Sequence, residues 1–483
     1  MTEARNDLKH IAVLAFPFAT HGPPLLSLVT RLSATASHAK FSFFSTKESN
    51  IKLFSSDLDR LENIKPYNVQ DGLPENYIFS GNLDETIDYF LKASPGNFKQ
   101  AMEVAVKEVG IDFTCIMSDA FLWFAVDMAQ GLHVPWVPLW TSGPRSLLLV
   151  LEIDLVRQKM GCTINEPKTE QLVDILPGFS ELRVADIPKE INSDGEQSEF
   201  SAMLQKMGLT LPRAAAVASN SFEELDPDAA NLFKSRLPKF LYVGPFALAS
   251  PDPFTSDPLG CLEWLDKQKQ GSVVYISFGS VIMLPHQELA EIAEALEECM
   301  LPFLWSFRGN PEEELPKGFL ERTKYKGKVV SWTPQVKVLQ NKATGVFMTH
   351  CGWNSVLESI IGCVPMICRP FFGDQTVNTR NVEAVWGTGI GIEGGRITKE
   401  GVTKALKLIL STEEGNKMRK KLEYFQGLAL DAVKSNGSST KNFETLVEYD
   451  ESKVEKPGRD LILWNSMIDG YVKYGRMKDA LRF

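Results

Sequence analysis

The stretch from Trp332 to Gln375 constrains the fold more than any other part of the chain. It reads WTPQVKVLQNKATGVFMTHCGWNSVLESIIGCVPMICRPFFGDQ. The apolar run Gly345–Thr349 predicts a buried strand. His350, Cys351, Gly352, Trp353, Asn354 and Ser355 then turn into a helix expected over about Ser355–Gly362. A second apolar run, Val364–Cys368, predicts the next parallel strand, with Asp374 and Gln375 in the loop beyond it.

This arrangement makes an anion site. The first turn of a helix leaves backbone N–H groups unpaired and carries a partial positive charge. Gly352 lets the backbone turn closely, Asn354 and Ser355 add side-chain donors, and His350 supplies another at the strand end. Glu358, three residues after Ser355, lies on nearly the same helix face, where a carboxylate suits a pair of vicinal ribose hydroxyls. Trp332 offers a flat face for a base. Together these groups describe a site for a nucleoside diphosphate.

Over its whole length the stretch resembles the donor-binding signature of plant family 1 UDP-dependent glycosyltransferases. It carries the W-x-P-Q opening with Gln335, the H-C-G-W-N-S core, Glu358 and the D-Q ending. It departs at Thr333, where alanine is commoner; the contact there is expected through the main chain. The resemblance covers residues 10–447. The segments AFPFATHGPPLLSLV, DGLP, SDAFLWFAVDMA, VPLWTSGP and RPFFGDQ look most like the flavonoid 3-O-glucosyltransferase branch.

The rest of the chain agrees with a doubly wound α/β architecture. The 483 residues suffice for two or three domains. Strands are expected at His10–Phe18, Phe41–Ser45, Ile111–Ser118 and Val134–Leu139, with helices after Pro24 and over Ala120–Gln130. After a proline-rich linker, Pro245–Pro258, come strands at Ser272–Phe278 and Phe303–Phe307 and a helix at Glu288–Cys299. The resemblance implies the GT-B architecture, two Rossmann-like domains facing across a cleft. Residues 1–245 would bind the acceptor and 246–439 the UDP-sugar, with a helix near 440–449 crossing back to the first domain. Residues 450–483 begin with a charged linker. They continue with DLILWNSMIDGYVKYGRMKDALRF, which resembles part of one pentatricopeptide repeat. One such fragment cannot bury its apolar face alone, so no function is expected of it.

His21 and Asp119 each follow the carboxyl end of an expected strand, the edge where ligands collect in open α/β sheets. Taken alone, His21 also reads as a structural histidine and Asp119 as a helix N-cap. The resemblance implies a catalytic dyad at these two positions. An imidazole can take the proton of an attacking phenol, and a carboxylate on its far nitrogen fixes the tautomer. Thr20, Thr141 and Ser280 are candidate donor contacts and equally ordinary loop hydroxyls; the resemblance puts Thr141 at the sugar and Ser280 at phosphate. With them go Trp332, Thr333, Gln335, His350, Trp353, Asn354, Ser355, Glu358, Asp374 and Gln375. In the family, glutamine at the position of Gln375 goes mostly with glucose and histidine with galactose. Phe16, Phe18, Phe121, Phe200 and Phe372 are candidate acceptor walls, although aromatic residues near strand ends equally read as core.

The expected co-substrates are UDP-glucose and a small phenol, the 3-hydroxyl of a flavonol or anthocyanidin. UDP-galactose, UDP-rhamnose, a different phenol, and a non-catalytic ligand-binding role stand as alternatives. No metal is expected. Asp57-Leu58-Asp59 and Asp226-Pro227-Asp228 spell D-x-D but read as solvated loops, and Gly387–Gly391 lacks the spacing of a dinucleotide fingerprint. A net charge of -10 argues against nucleic acid as a partner. No apolar run is long enough to span a bilayer, no secretory leader is visible, and seven cysteines without a C-x-x-C pair read as reduced thiols. A cytoplasmic monomer is expected.

Overall fold

The computed structural model describes residues 8–18, 20–54, 62–78, 83–161, 172, 179–191, 199–250, 256–279 and 282–451. Two wholly parallel sheets organise them. The first holds β1 (Lys9–Leu14), β2 (Ala39–Thr46), β3 (Ile64–Val69), β4 (Cys115–Asp119), β5 (Trp136–Trp140), β6 (Val217–Ser219) and β7 (Phe240–Tyr242), in the order β3-β2-β1-β4-β5-β6-β7. The second holds β8 (Val273–Ser277), β9 (Phe303–Ser306), β10 (Gly327–Val330), β11 (Thr344–Thr349), β12 (Met366–Cys368) and β13 (Gly389–Gly391), in the order β10-β9-β8-β11-β12-β13.

The central strands β4, β5, β8 and β11 are buried along their whole lengths. They therefore read as continuous apolar runs, as parallel strands covered by helices on both faces must. Each sheet separates two apolar clusters, one per face. In the first sheet, Leu14, Ile116 and Trp140 pack to one side and Val13, Met117 and Leu139 to the other.

Strand order reverses between β1 and β4 in the first sheet and between β8 and β11 in the second. Crevices form at such reversals, because the crossover connections on either side run to opposite faces. His21 and Asp119 follow β1 and end β4; Gly279 and His350 follow β8 and β11. The topology thus places both candidate clusters at the two points where a ligand fits.

Several element bounds differ from expectation. β1 ends at Leu14, so Phe16 and Phe18 lie in the loop past it. The helix expected from Ala120 begins at Ala125, because the Asp119 side chain takes the Phe121 N–H and holds a turn there. The helix expected from Ser355 begins earlier, at Trp353. Strands β3, β6, β7, β10 and β13 were not foreseen. They lie at or beside the sheet edges, and four of the five have only three or four residues, too few for a pattern to emerge. The helix Ser438–Glu451 packs Phe443 and Leu446 into the cluster beneath β1 and β2, with Arg31 stacked 3.7 Å over the Phe443 ring. Asn442 Nδ2 donates to the Tyr242 carbonyl at 3.1 Å. The repeat-like segment that opens at Asp460, the Asp57–Asp59 motif and Ser280 all lie outside the described residues.

Candidate functional site

A cavity of about 540 Å³ opens between the carboxyl ends of the two sheets. Thr20, His21, Pro23, Thr141 and Ser142 line it from one side, and groups between Tyr275 and Gln375 from the other.

On the first side, His21 occupies the N-cap of the Gly22–Thr35 helix, with Pro23 and Pro24 opening that helix. Its Nδ1 lies 2.8 Å from Asp119 Oδ2 and 3.0 Å from Thr141 Oγ1. Asp119 is fully buried, and its Oδ1 accepts the Phe121 N–H at 2.9 Å. Asp119 therefore both caps the turn and holds the histidine. A carboxylate only accepts, so Nδ1 carries the proton and Nε2 is the imidazole's basic nitrogen. Phe16 and Phe121 flank the ring, with centroids 5.2 and 4.4 Å from it. Both belong to the buried core. Phe18 and Phe200 pack against that core 5.1 Å from Phe16 and 6.0 Å from Phe121. Of the five expected acceptor aromatics, Phe372 lines this cavity and is 39% exposed.

On the second side, the chain leaves β11 through His350-Cys351-Gly352 and enters the Trp353–Gly362 helix. The left-handed residue of this turn is Cys351, at φ 65°, not the glycine. Its N–H is met by Thr349 Oγ1 at 3.3 Å and its carbonyl by Asn378 Nδ2 at 3.1 Å. Gly352 is required for space instead, since a Cβ there would stand 2.5 Å from His350 Nε2. Gly279 packs on the same imidazole, where a Cβ would meet Cε1 at 2.8 Å. Enclosure pushes the His350 pKa down to about 4, so the ring is neutral at pH 7 and donates one N–H.

Polar side chains fix one another along this wall. Gln335 Nε2 donates to Glu358 Oε2 at 2.7 Å and to Ser355 Oγ at 3.1 Å, while its Oε1 accepts from Tyr275 OH at 3.0 Å. Tyr275 OH also lies 2.7 Å from Thr333 Oγ1, so position 333 is held through its side chain. Gln375 Oε1 accepts the Phe371 and Phe372 N–H groups at 2.8 and 3.4 Å, which turns its amide nitrogen the other way. Burial raises the Asp374 pKa, opposed by hydrogen bonds from Asn378 Nδ2 at 2.9 Å and the Gly143 N–H at 3.4 Å. Trp332, 37% exposed, presents its ring to the cavity.

Of the expected donor-side residues, all but Ser280 line this single cavity. Tyr275, Ser142, Ser277 and Arg308 line it too and were not foreseen. Tyr275 sits inside an apolar strand pattern that carries no sign of its hydroxyl's role. Asn378 and Asn220, which position neighbours, were also missed; Asn220 follows β6 directly, and a polar residue just past a strand end was the available signal. Asp226 is not solvated. It is buried, caps the Pro227–Arg236 helix and pairs with Arg145, whose Nη2 lies 3.3 Å from its Oδ1. Among the described residues, no cluster of histidine, cysteine or carboxylate groups could hold a metal, and no helix is long and apolar enough to cross a membrane.

Residues 233–422 match the family described as UDP-glucoronosyl and UDP-glucosyl transferase. The chain is 52% identical over 443 residues to a flavonoid 3-O-glucosyltransferase of Medicago truncatula, spanning 92% of this chain and 97% of that one. It is 49% identical over 441 residues to an anthocyanidin 3-O-galactosyltransferase of Actinidia chinensis var. chinensis, spanning 91% and 96%. Its fold is similar to the crystal structure of a UDP-glucose: anthocyanidin 3-O-glucosyltransferase in complex with UDP. There the TM-score is 0.88 and the identity 42%, over 92% of this chain and 99% of the other.

Proposed function

The chain belongs to the UDP-glucoronosyl and UDP-glucosyl transferase family and has its GT-B fold. From that premise we propose that it moves glucose from UDP-glucose to the 3-hydroxyl of a flavonol or anthocyanidin, with inversion at the anomeric carbon. The observation that carries this reading is the position of the His21–Asp119 pair, 2.8 Å apart, across one cavity from the Trp332–Gln375 wall.

The chemistry follows from that opposition. His21 Nε2 takes the acceptor's hydroxyl proton while Asp119 stabilises the imidazolium through Nδ1. The acceptor oxygen bonds to the anomeric carbon as that carbon's bond to the β-phosphate oxygen breaks, through an oxocarbenium-like state. The departing diphosphate's charge falls on the first turn of the Trp353–Gly362 helix, with Ser355, Asn354 and the neutral His350 as donors. We assign that role to these groups and not to a metal. Trp332 stacks on the uracil, Glu358 takes the ribose hydroxyls, and Asp374 with the Gln375 amide takes the sugar hydroxyls. Thr20 and Thr141 stand beside the reacting carbon, Phe372 supplies the aromatic face of the acceptor pocket, and Phe16 and Phe121, with Phe18 and Phe200 packed against them, back that pocket from the core.

We set the domain division at residues 245 and 246, with the Ser438–Glu451 helix returning to the first domain, and read the enzyme as a cytoplasmic monomer. UDP-galactose is the second donor to consider, on the strength of the galactosyltransferase relative. A panel of UDP-sugars against flavonols, anthocyanidins and simple phenols, with products identified by mass spectrometry and NMR, tests the proposal. Formation of the β-3-O-glucoside as the main product supports it. Turnover confined to other hydroxyls, or to another donor, refutes it.

A further inference from the structure

Asn220 belongs to the first domain but touches the diphosphate wall of the second. It follows β6, is 5% exposed, and makes three hydrogen bonds. Its carbonyl accepts the Trp353 Nε1–H at 2.7 Å. Its side-chain Oδ1 accepts the Phe246 N–H at 2.9 Å, and its Nδ2 donates to Asn354 Oδ1 at 3.2 Å. The Gly244 backbone closes on the same amide, since a Cβ on Gly244 would stand 2.4 Å from Asn220 Oδ1.

These contacts fix the orientation of two amides in sequence. A backbone N–H can only donate, so the group facing Phe246 must be the Asn220 oxygen. The Asn220 nitrogen therefore faces Asn354, and Asn354 must answer with its oxygen. The Asn354 amide nitrogen is left for the cavity that this residue lines. Turned the other way, Asn354 would present an acceptor to an anion and meet the Asn220 N–H2 with its own N–H2.

We propose that Asn220 is a positioning residue for the reaction. From the first domain it sets the amide of Asn354 so that the second domain's diphosphate site presents a donor. This rests on the reading of Asn354 as a diphosphate contact. It implies that the diphosphate site is completed by the docking of one domain on the other, at the joint between β6, the segment opening at Phe246 and the Trp353–Gly362 helix.

The test is Asn220→Asp, which keeps shape and the acceptor for Phe246 but offers Asn354 an oxygen, so that the Asn354 amide inverts. Calorimetry with UDP and with uridine reads the outcome, in the parent and in an Asn354→Ala background, with melting temperatures alongside. In the parent, Asn220→Asp should weaken UDP by about tenfold or more, the range for a hydrogen bond to a charged group, and leave uridine within about twofold. In the Asn354→Ala background the same change should cost UDP less than about threefold, which isolates the direct repulsion by the new carboxylate. Asn220→Ser, whose shorter side chain cannot reach Asn354, should show the same preference for harming UDP over uridine, more weakly. Equal losses in the two backgrounds, or equal losses of UDP and uridine, overturn the proposal. If Asn354→Ala itself leaves UDP affinity unchanged, the reading of Asn354 fails first and the proposal with it. If it weakens UDP and Asn220→Asp does not, the proposal alone fails.

Discussion

The wall carried by the second sheet takes most of its polar groups from one continuous stretch, Trp332–Gln375, with Tyr275, Ser277 and Arg308 added from outside it. The wall carried by the first collects His21, Asp119 and Thr141 from the ends of three strands, with His21 98 positions from Asp119 and 120 from Thr141. The second wall is a polar network in which Gln335, Glu358, Ser355, Tyr275 and Thr333 hold one another. The first is one histidine hydrogen-bonded to a buried carboxylate and set among aromatic rings. The difference follows from the ligands. A nucleoside diphosphate has a fixed set of charges and hydroxyls, each needing a partner at a set place, and a strand–turn–helix unit supplies many such partners locally. A flat phenol needs apolar area and one base, and scattered residues supply these equally well.

The comparison breaks most sharply at His21. Replacing it with alanine removes the general base and should lower turnover by about 10²–10⁴-fold, while UDP affinity stays close to the parent value because the second wall is untouched. Initial rates and calorimetry on the same preparation check both halves. Near-parent turnover would remove His21 from the mechanism; a parallel loss of UDP affinity would mean that the two walls are not separable.

The opposite pattern is expected on the second wall. Trp332→Ala removes a stacking face with an expected cost of about 1–3 kcal/mol. Glu358→Ala removes charge-assisted hydrogen bonds and should weaken UDP by about tenfold or more. Both should raise the KM for the donor more than they lower kcat. Unchanged UDP affinity in both variants would overturn the assignment of this wall to the nucleotide.

The same contrast explains how much could be read before the fold was seen. The donor wall was legible because turn, helix start and side-chain spacing lie within one stretch, and each polar residue there has a cost unless it meets a partner. Both α/β halves were legible from central strands such as Val273–Ser277 and Thr344–Thr349, which are apolar throughout because both faces are buried. The acceptor wall was not. Phe16 and Phe121 have the same burial and neighbours as any core phenylalanine, so nothing in the sequence separates a core ring from one proposed for the wall. Asn220 escaped because its work is done on a residue 134 positions away, a pairing that only the docked domains create.

A smaller effect probes the sugar end of the donor wall. Gln375 Oε1 is held by the Phe371 and Phe372 N–H groups, which leaves its amide nitrogen as the group we propose for the sugar. Gln375→His replaces that donor with a ring of different reach and should move the glucose-to-galactose rate ratio toward galactose by severalfold, with total activity reduced. Competition between the two UDP-sugars, read by chromatography of the glycosides, gives the ratio directly. A ratio that does not move places donor choice elsewhere, and Asp374 would be the next residue to change.

Acid should separate the walls more gently still. His350 titrates at about 4 in the folded chain against 6.5 for a free imidazole. Because its folded pKa is depressed, the unfolded state binds the extra proton between pH 6.5 and 4. Stability contributed by the neutral ring is therefore complete above pH 6.5 and is lost progressively as pH falls toward 4. Melting temperatures from pH 7.5 to 4.5 should fall more steeply for the parent than for His350→Asn, whose side chain does not titrate. UDP, whose phosphates favour a protonated neighbour, should flatten the parent's decline. Identical pH slopes for parent and variant would show that other groups set the acid limit of this wall.

The smallest expected effect concerns the segment beyond both walls. The Ser438–Glu451 helix is the last described element, and it cannot be spared: Phe443 and Leu446 complete the cluster beneath β1 and β2, and Asn442 ties the helix to the Tyr242 carbonyl. Beyond it the sequence turns to the charged run SKVEKPGRD and then to one partial repeat pattern, whose apolar positions would need a neighbouring repeat to cover them. None of the groups assigned to either wall lies there. A chain ending at Glu451 should therefore keep its turnover, its UDP affinity and its melting temperature within experimental scatter. A drop of several degrees, with turnover intact, would mean that the tail packs on the protein body without serving the reaction. A loss of turnover at constant melting temperature would be more telling, since it would add a third contributor to a cavity built from two walls.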